Sequence, residues 1–434
     1  MTILARYREL DFGSEAPLAA GLSTLARSLR GSIILRIAAD VRELQDTGRP
    51  LCNLTVGDFD PRHFPIPAPL RDRIVSALHS GETNYPPSDG LATLRQAVVE
   101  YSRREHGVEY PVGSVLVTAG GRPAIYAIFR CLVDPEEQVL YSVPSWNNDY
   151  YAEMVGARKL PIAAGPATRF QPVLEQLAPH LSETRLLCLC SPGNPTGTTL
   201  DPAALTEILR AVVAENRRRT GKPLFVLYDL MYGSLVQDGV ESPHPLALVP
   251  EAAPWVVTVD GISKAFAATG LRVGWTTGAP AVIARMKDFL GHVGAWAPRP
   301  EQIATAGFLR DPEAVAAFRA GINRSLGERL DALYDGFQAM KREGLPVDCV
   351  RAQGAMYLSL RVDLIGSRRG DQLIADNEAL RRFLLTEAGL AAVPFQAFGV
   401  AEHTGWFRLA VGAVAPEEIP AMLERVRKAV APAA

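Results

Sequence analysis

The sequence predicts an α/β fold, with a mainly parallel sheet in a large domain and a smaller α+β domain built from the N- and C-terminal parts. Three observations carry this expectation. Between about residues 88 and 300, short apolar runs rich in β-branched residues alternate with helical stretches, the pattern of a parallel sheet covered on both faces. Beyond about Asp311 the alternation gives way to one long helical region followed by mixed segments. The length of 434 residues also exceeds what one hydrophobic core usually organises. The expected division is an N-terminal arm at 1–30, a small domain from 31–70 and 311–434, and a large domain at 71–310.

Taken in order, SIILRIAADVRELQDTG sets Ile33, Ile37, Val41 and Leu44 on one helical face, with Gly48 as a stop, and this helix is expected to pack on the small domain. GLATLRQAVVEYSRREHG reads as a helix, SVLVTAGG as a strand ending in glycines, and PAIYAIFRCL as the helix that follows. The runs QVLYSVP, RLLCLCSP, PLFVLYDL and WVVTVDGI read as further strands. Downstream, EAVAAFRAGINRSLGERLDALYDGFQAMKREG is a long helical region. The segments GAMYLSLRV, LAAVPF and WFRLAVG are apolar, and NEALRRFLLTEAG and PEEIPAMLERVRKAV read as helices.

A net charge of −2 gives no basic footprint for nucleic acid, and 48% hydrophobic residues argue against a disordered chain. Five cysteines, odd in number and without a Cys-x-x-Cys pair, suggest neither a disulfide framework nor a metal site. No apolar run has the length of a membrane span and the N-terminus lacks a signal-peptide pattern, so the expected location is the cytoplasm and the expected partner a small molecule.

The chemistry concentrates where the strands end, the edge at which open α/β sheets bind ligands. Lys264, in DGISKAFAATGLRVGW, stands among small and apolar residues, and an enclosed lysine has a depressed pKa and can form a Schiff base with an aldehyde. Were that aldehyde pyridoxal phosphate, the site would also need an anion cradle, a carboxylate for the ring nitrogen, a donor for the ring oxygen and a flat surface. Gly120 and Gly121 between strand and helix, with Ser263 and Arg272, can form the cradle; a glycine pair is equally an ordinary tight turn. Asp229 at the end of an apolar strand can pair with a pyridinium or cap a helix. Asn194 in SPGNPTG and Tyr232 can reach a ring oxygen, and Trp146 can supply the surface, although NPTG also reads as a turn and a tryptophan as core.

SPGNPTG, YDLMY, GISKAFAATGLRVGW and WFRLAVG stand in the order of the class I/II aminotransferases, aspartate-aminotransferase-like pyridoxal-phosphate enzymes of fold type I, which this chain resembles from about Ser32 to near its C-terminus. The resemblance implies a seven-stranded type of sheet in a large cofactor domain. It implies that Lys264 carries the cofactor and moves the proton, that Asp229 partners the pyridinium, and that Asn194 and Tyr232 contact the ring oxygen. Trp146 and Met231 would flank the ring. Gly120, Gly121, Arg122 (through its backbone amide), Ser263 and Arg272 would bind the phosphate, together with Tyr85 from a neighbouring subunit of a homodimer. Arg408 would grip the substrate α-carboxylate, where read alone it is a salt-bridged strand arginine, and Gly57 would line the pocket. The Asn194–Pro195 bond resembles one that is often cis. Leu230 and Gly261 depart from residues common in relatives and remove no essential group. GHVGAWAPRPEQ falls where relatives place residues that enter the partner's active site, so His292, Trp296 or Arg299 could read a substrate side chain there, Arg299 suiting an acidic one, although a surface role fits it equally; His403 and Tyr357 are further candidates for pocket walls. The implied activity is amino transfer between an L-amino acid and a 2-oxo acid; a lyase or cyclase would share the opening proton abstraction. A ligand-sensing regulator would carry a DNA-binding region ahead of this fold, and the first thirty or so residues are too few for one.

Overall fold

The structure, a computed structural model, describes residues 10, 12, 13, 19–29, 31 and 33–432. Much of the expected arm at 1–30 lies outside the described residues, as does Ser32. A seven-stranded sheet forms from β1 (Val115–Thr118), β2 (Gln138–Val143), β3 (Arg158–Ala163), β4 (Thr184–Cys190), β5 (Phe225–Asp229), β6 (Val256–Gly261) and β7 (Gly274–Thr277), in the order β1-β7-β6-β5-β4-β2-β3. Only β7 runs antiparallel to its neighbours; the other pairs are parallel.

The apolar runs become strands because both faces are covered. Alternate residues divide between two cores: Leu187, Leu189, Val226 and Tyr228 face one, Leu186, Cys188, Leu227 and Val257 the other. Helices Ala92–His106 and Pro202–Arg218 close the first, and Gly121–Leu132 and Pro280–Val293 the second. Two strands were not among the expected runs. β3 is an edge strand with only partial burial, and its Arg158, Lys159 and Pro161 are edge residues rather than core residues. β7 is short, starts on a glycine and sits inside a loop-like motif.

A second sheet, β10-β11-β9-β8, is antiparallel and comprises β8 (Val347–Val350), β9 (Tyr357–Val362), β10 (Val393–Pro394) and β11 (Trp406–Ala410). Helix Pro312–Arg342 starts at the cap Asp311, whose Oδ1 accepts from Ala314 N at 3.2 Å, and lays Leu326, Leu330, Leu333, Phe337 and Met340 on this sheet's core. Cys52–Asn53 pairs in parallel with Leu390–Ala391, so the N-terminal segment joins the same unit. Helix Ile33–Asp46 packs there as expected, with Ile37 and Val41 against Val393, Phe395, Phe398 and Trp406. Asp40 adds an ion pair to Arg381 at 2.5 Å.

The loop after β4 joins the two sheets. The Gly197 carbonyl accepts from Gln353 N at 2.7 Å and Gly354 N at 3.0 Å, and Ser359 Oγ donates to the Thr196 carbonyl at 3.1 Å. Asn194–Pro195 within this loop is cis. Gly197 has φ +70°, and a β-carbon there would collide with the Tyr357 carbonyl. Gly197→Ala is therefore expected to destabilise the protein by about 2 kcal/mol or more, read as a lower urea midpoint; an unchanged midpoint would show that the loop can yield.

Candidate active site

The carboxyl ends of the parallel strands converge on a cavity of about 540 Å³. β5 ends at Asp229, and the turn after it delivers Met231 and Tyr232. β6 ends at Gly261, and the one-turn helix Ile262–Ala265 presents Ser263 and Lys264. The loops after β1, β2 and β4 bring Gly121, Arg122, Trp146 and Asn194, and Arg272 enters from the segment before β7. Gly57 and Arg408 reach the cavity from the small-sheet side, Arg408 from β11. These twelve residues, all singled out from the sequence, share one wall system.

Gly120, Tyr85 and Arg299 do not line it. Gly120, φ +82°, caps helix Gly121–Leu132, and its missing side chain leaves room for the Arg272 guanidinium beside it. That guanidinium donates from Nη1 to the Thr269 carbonyl at 2.6 Å and from Nη2 to the Ala119 carbonyl at 3.1 Å. Tyr85 is 83% exposed and meets the Trp296 ring edge-on at 5.3 Å. Arg299 Nε donates to Glu82 Oε2 at 2.5 Å, so its charge is already matched outside the cavity. His292 and Trp296 are also absent from the walls, and His403 Nδ1 accepts from Asn377 N at 3.3 Å elsewhere. Tyr357 does line the cavity. So do Ile34, Asp58, Ile125, Thr269 and Gly270, which the sequence reading missed. Thr269 and Gly270 lie inside GISKAFAATGLRVGW and Asp58 adjoins Gly57, and that adjacency was the available signal.

Lys264 Nζ donates to the Gly57 carbonyl at 2.6 Å and stands 5.6 Å from the centre of the Phe59 ring. Enclosure pulls its pKa down to about 8, the neighbouring charge of Asp58 opposing this and those of Arg408, Arg122 and Arg272 reinforcing it. Asp229 Oδ1 accepts from Met231 N at 2.9 Å, and among the described residues no cation pairs with the carboxylate. Enclosure pushes its pKa up to about 6. Both groups are part-exposed, but they face the cavity rather than bulk water. Arg408, 1% exposed, donates from Nη1 to Asn194 Oδ1 at 3.1 Å and from Nη2 to the Thr55 carbonyl at 2.7 Å. Its guanidinium lies over Tyr357 and Phe398, 4.8 and 5.0 Å from the ring centres. Asn194 Nδ2 in turn donates to Tyr232 Oη at 3.4 Å.

A family description, aminotransferase class I and II, matches residues 49–426. The chain belongs to this family. As an aminotransferase it moves an amino group between an amino acid and a 2-oxo acid. It is 32% identical over 386 residues to a probable aspartate/prephenate aminotransferase of Thermus aquaticus, covering 87% of this chain and 93% of the relative. It is 30% identical over 414 residues to an aspartate aminotransferase of Streptomyces avermitilis, covering 94% and 96%. Among solved structures, the aspartate aminotransferase of Rhizobium meliloti superposes with a TM-score of 0.86 at 26% identity, covering 94% of this chain and 98% of the other. The Thermus thermophilus aspartate aminotransferase with maleate gives 0.83 at 29% identity, covering 94% and 99%. These likenesses share the α/β fold with its mostly parallel seven-stranded sheet. Among the described residues of this aminotransferase, no helix is long and apolar enough to cross a membrane and no acidic, histidine or cysteine cluster is arranged to hold a metal.

An enclosed carboxylate without a cation carries a cost in folding stability. The folded chain holds the Asp229 proton up to about pH 6, whereas the unfolded chain releases it near the ordinary value of 3.8, so folding stability falls as pH rises between those values. Asp229→Asn in the ligand-free protein should match wild type near pH 4 and exceed it by ~2 kcal/mol at pH 8, after allowance for water in the cavity. Urea midpoints at the two pH values test this; a less stable variant at pH 8 contradicts it.

Proposed function

We propose that this aminotransferase uses pyridoxal 5'-phosphate carried on Lys264 and acts on a dicarboxylic L-amino acid and a 2-oxo acid. The observation that carries the cofactor reading is the presence, in one cavity, of a lysine whose pKa is drawn down to about 8 and a carboxylate that lacks a cation. A pyridinium nitrogen would supply the cation that Asp229 lacks. The remaining walls fit the same group. Ser263, Arg272 and the amides of Gly121 and Arg122 at a helix N-terminus suit a phosphate, with Gly120 giving the chain its turn. Trp146 and Met231 suit the two ring faces, and Asn194 and Tyr232 the ring oxygen. When bound, the cofactor supplies an electron sink that makes the α-proton of an amino acid removable.

The chain's own residues do the rest. Arg408 offers its guanidinium to the substrate α-carboxylate, and its bond to Asn194 ties that end of the substrate to the groups around the ring oxygen. The Lys264 amine, once freed, has a pKa low enough to take the α-proton and return it near neutral pH. Gly57 leaves space between Arg408 and Tyr357, where an added β-carbon would stand 3.1 Å from Tyr357 Oη.

The dicarboxylic reading draws on relatives named for aspartate and on Arg122. Its guanidinium stacks 5.2 Å over Trp146, lines the cavity and enters no ion pair among the described residues. Arg299, paired with Glu82 on its own chain, is the second candidate, for the partner's site. We further propose a homodimer in which Tyr85, exposed on its own chain, reaches the partner's phosphate site, a cytoplasmic location consistent with five free cysteines, and domain limits at 31–70 with 311–434 against 71–310. The cores of the two sheets support this division for most residues, with Leu70 and Val315 joining the large sheet's core and Tyr232, Leu235 and Ala267 the small sheet's.

Borohydride treatment of the cofactor-loaded protein should fix the label on Lys264, and Lys264→Ala should lose the label together with roughly 10,000-fold in kcat. Mixing the loaded enzyme with single amino acids and no acceptor should yield 2-oxo acids; ammonia release without amino transfer would refute the reading. Arg122→Ala should raise KM for aspartate and glutamate about 10- to 100-fold while leaving alanine unaffected. Equal losses for all three would remove Arg122 from side-chain recognition.

A further inference from the structure

Behind Tyr232 stands a second hydroxyl that the roles above leave unused. Tyr357, on β9 and wholly buried, places Oη 2.6 Å from Tyr232 Oη, the two rings meeting at 68°. On the other side Tyr232 Oη receives the Asn194 amide at 3.4 Å. The Arg408 guanidinium lies 4.8 Å from the centre of the Tyr357 ring.

A phenol carries one proton and accepts with its lone pairs. If Tyr232 gave its proton to Tyr357, it would have none for an oxygen in the cavity. The short contact therefore has to run from Tyr357 to Tyr232 whenever Tyr232 serves as a donor, and a cation over the Tyr357 ring makes that phenol the stronger donor. We infer that Tyr357 is a positioning residue, donating to Tyr232 and so committing the Tyr232 proton to the ring oxygen of the cofactor. This rests on the pyridoxal-phosphate reading above.

The charged and titratable groups facing the pair are Arg408 from β11, Cys190 from β4 and Asp58 from the segment after Asn53. Burial holds both phenols above their ordinary pKa, so through the neutral range both keep the proton that a donor chain requires.

A donor aimed at an oxygen lowers its basicity, so a proton held beside that oxygen leaves at lower pH. The pH midpoint of the visible absorption of the cofactor-loaded protein reports that departure. Tyr232→Phe should raise the midpoint by roughly one unit. Tyr357→Phe should raise it by roughly 0.3 of a unit, the size of a cooperative effect passed through one hydrogen bond. The double variant should rise no further than Tyr232→Phe alone, because Tyr357 acts through Tyr232. Tyr357→Phe keeps the ring, and a full visible band establishes that it is folded and loaded. A shifted Tyr232→Phe beside an unshifted Tyr357→Phe, or fully additive shifts, overturns the inference. Wild-type protein that gains no visible absorption with pyridoxal phosphate, and no borohydride label on Lys264, overturns the cofactor reading instead.

Discussion

A guanidinium taken out of water must find acceptors or cost several kcal/mol, and Arg408 is such a group, with 1% of its surface exposed. Its two acceptors come from different parts of the molecule. Asn194 lies in the loop after the large sheet's β4, and Thr55 follows the short strand that pairs with Leu390–Ala391. The arginine itself stands on β11 of the small sheet. The two bonds from one enclosed charge thus tie the large sheet's loop, the N-terminal segment and the small sheet together, and the cavity lies among them.

Within that space the walls move the titration of two groups toward neutral pH. Lys264 is drawn down to about 8 and Asp229 pushed up to about 6, both because enclosure disfavours charge. The parallel sheet makes this possible by ending neighbouring strands at one edge, where β5 presents the carboxylate and β6 leads directly into the lysine turn. A ligand bearing a positive ring nitrogen and a carbonyl carbon open to an amine would relieve both groups at once. That complementarity gives physical content to the proposed cofactor, and the buried Tyr232–Tyr357 pair extends it to a third point of the ring.

Much of this was legible before any fold was known. Central strands announce themselves because burial on both faces demands continuous apolar runs, as in LFVLYD, which stops at the cavity residue Asp229, and VVTVDG, which leads within three residues to the cavity residues Ser263 and Lys264. β3 escaped notice because an edge strand can carry Arg158, Lys159 and Pro161 without penalty. Ile34 and Ile125 looked like ordinary helix-face residues, and nothing in their local spacing distinguishes a cavity wall from a core. Tyr357, a candidate pocket wall, stood in the apolar segment GAMYLSLRV, where its hydroxyl gave no sign of a partner 125 residues away.

Local sequence marked the ends of the strands whose apolar runs it announced, the glycine turn before helix Gly121–Leu132 and the candidate lysine, carboxylate and arginine, since each depends on residues a few positions apart. Tertiary structure alone decided what each charge meets. Arg299 and Arg122 are chemically the same side chain, yet one is matched by Glu82 and the other stands over Trp146 facing the cavity. Glu82 is 217 residues from Arg299, and an ion pair across that distance is set by how helices pack, which no local pattern encodes.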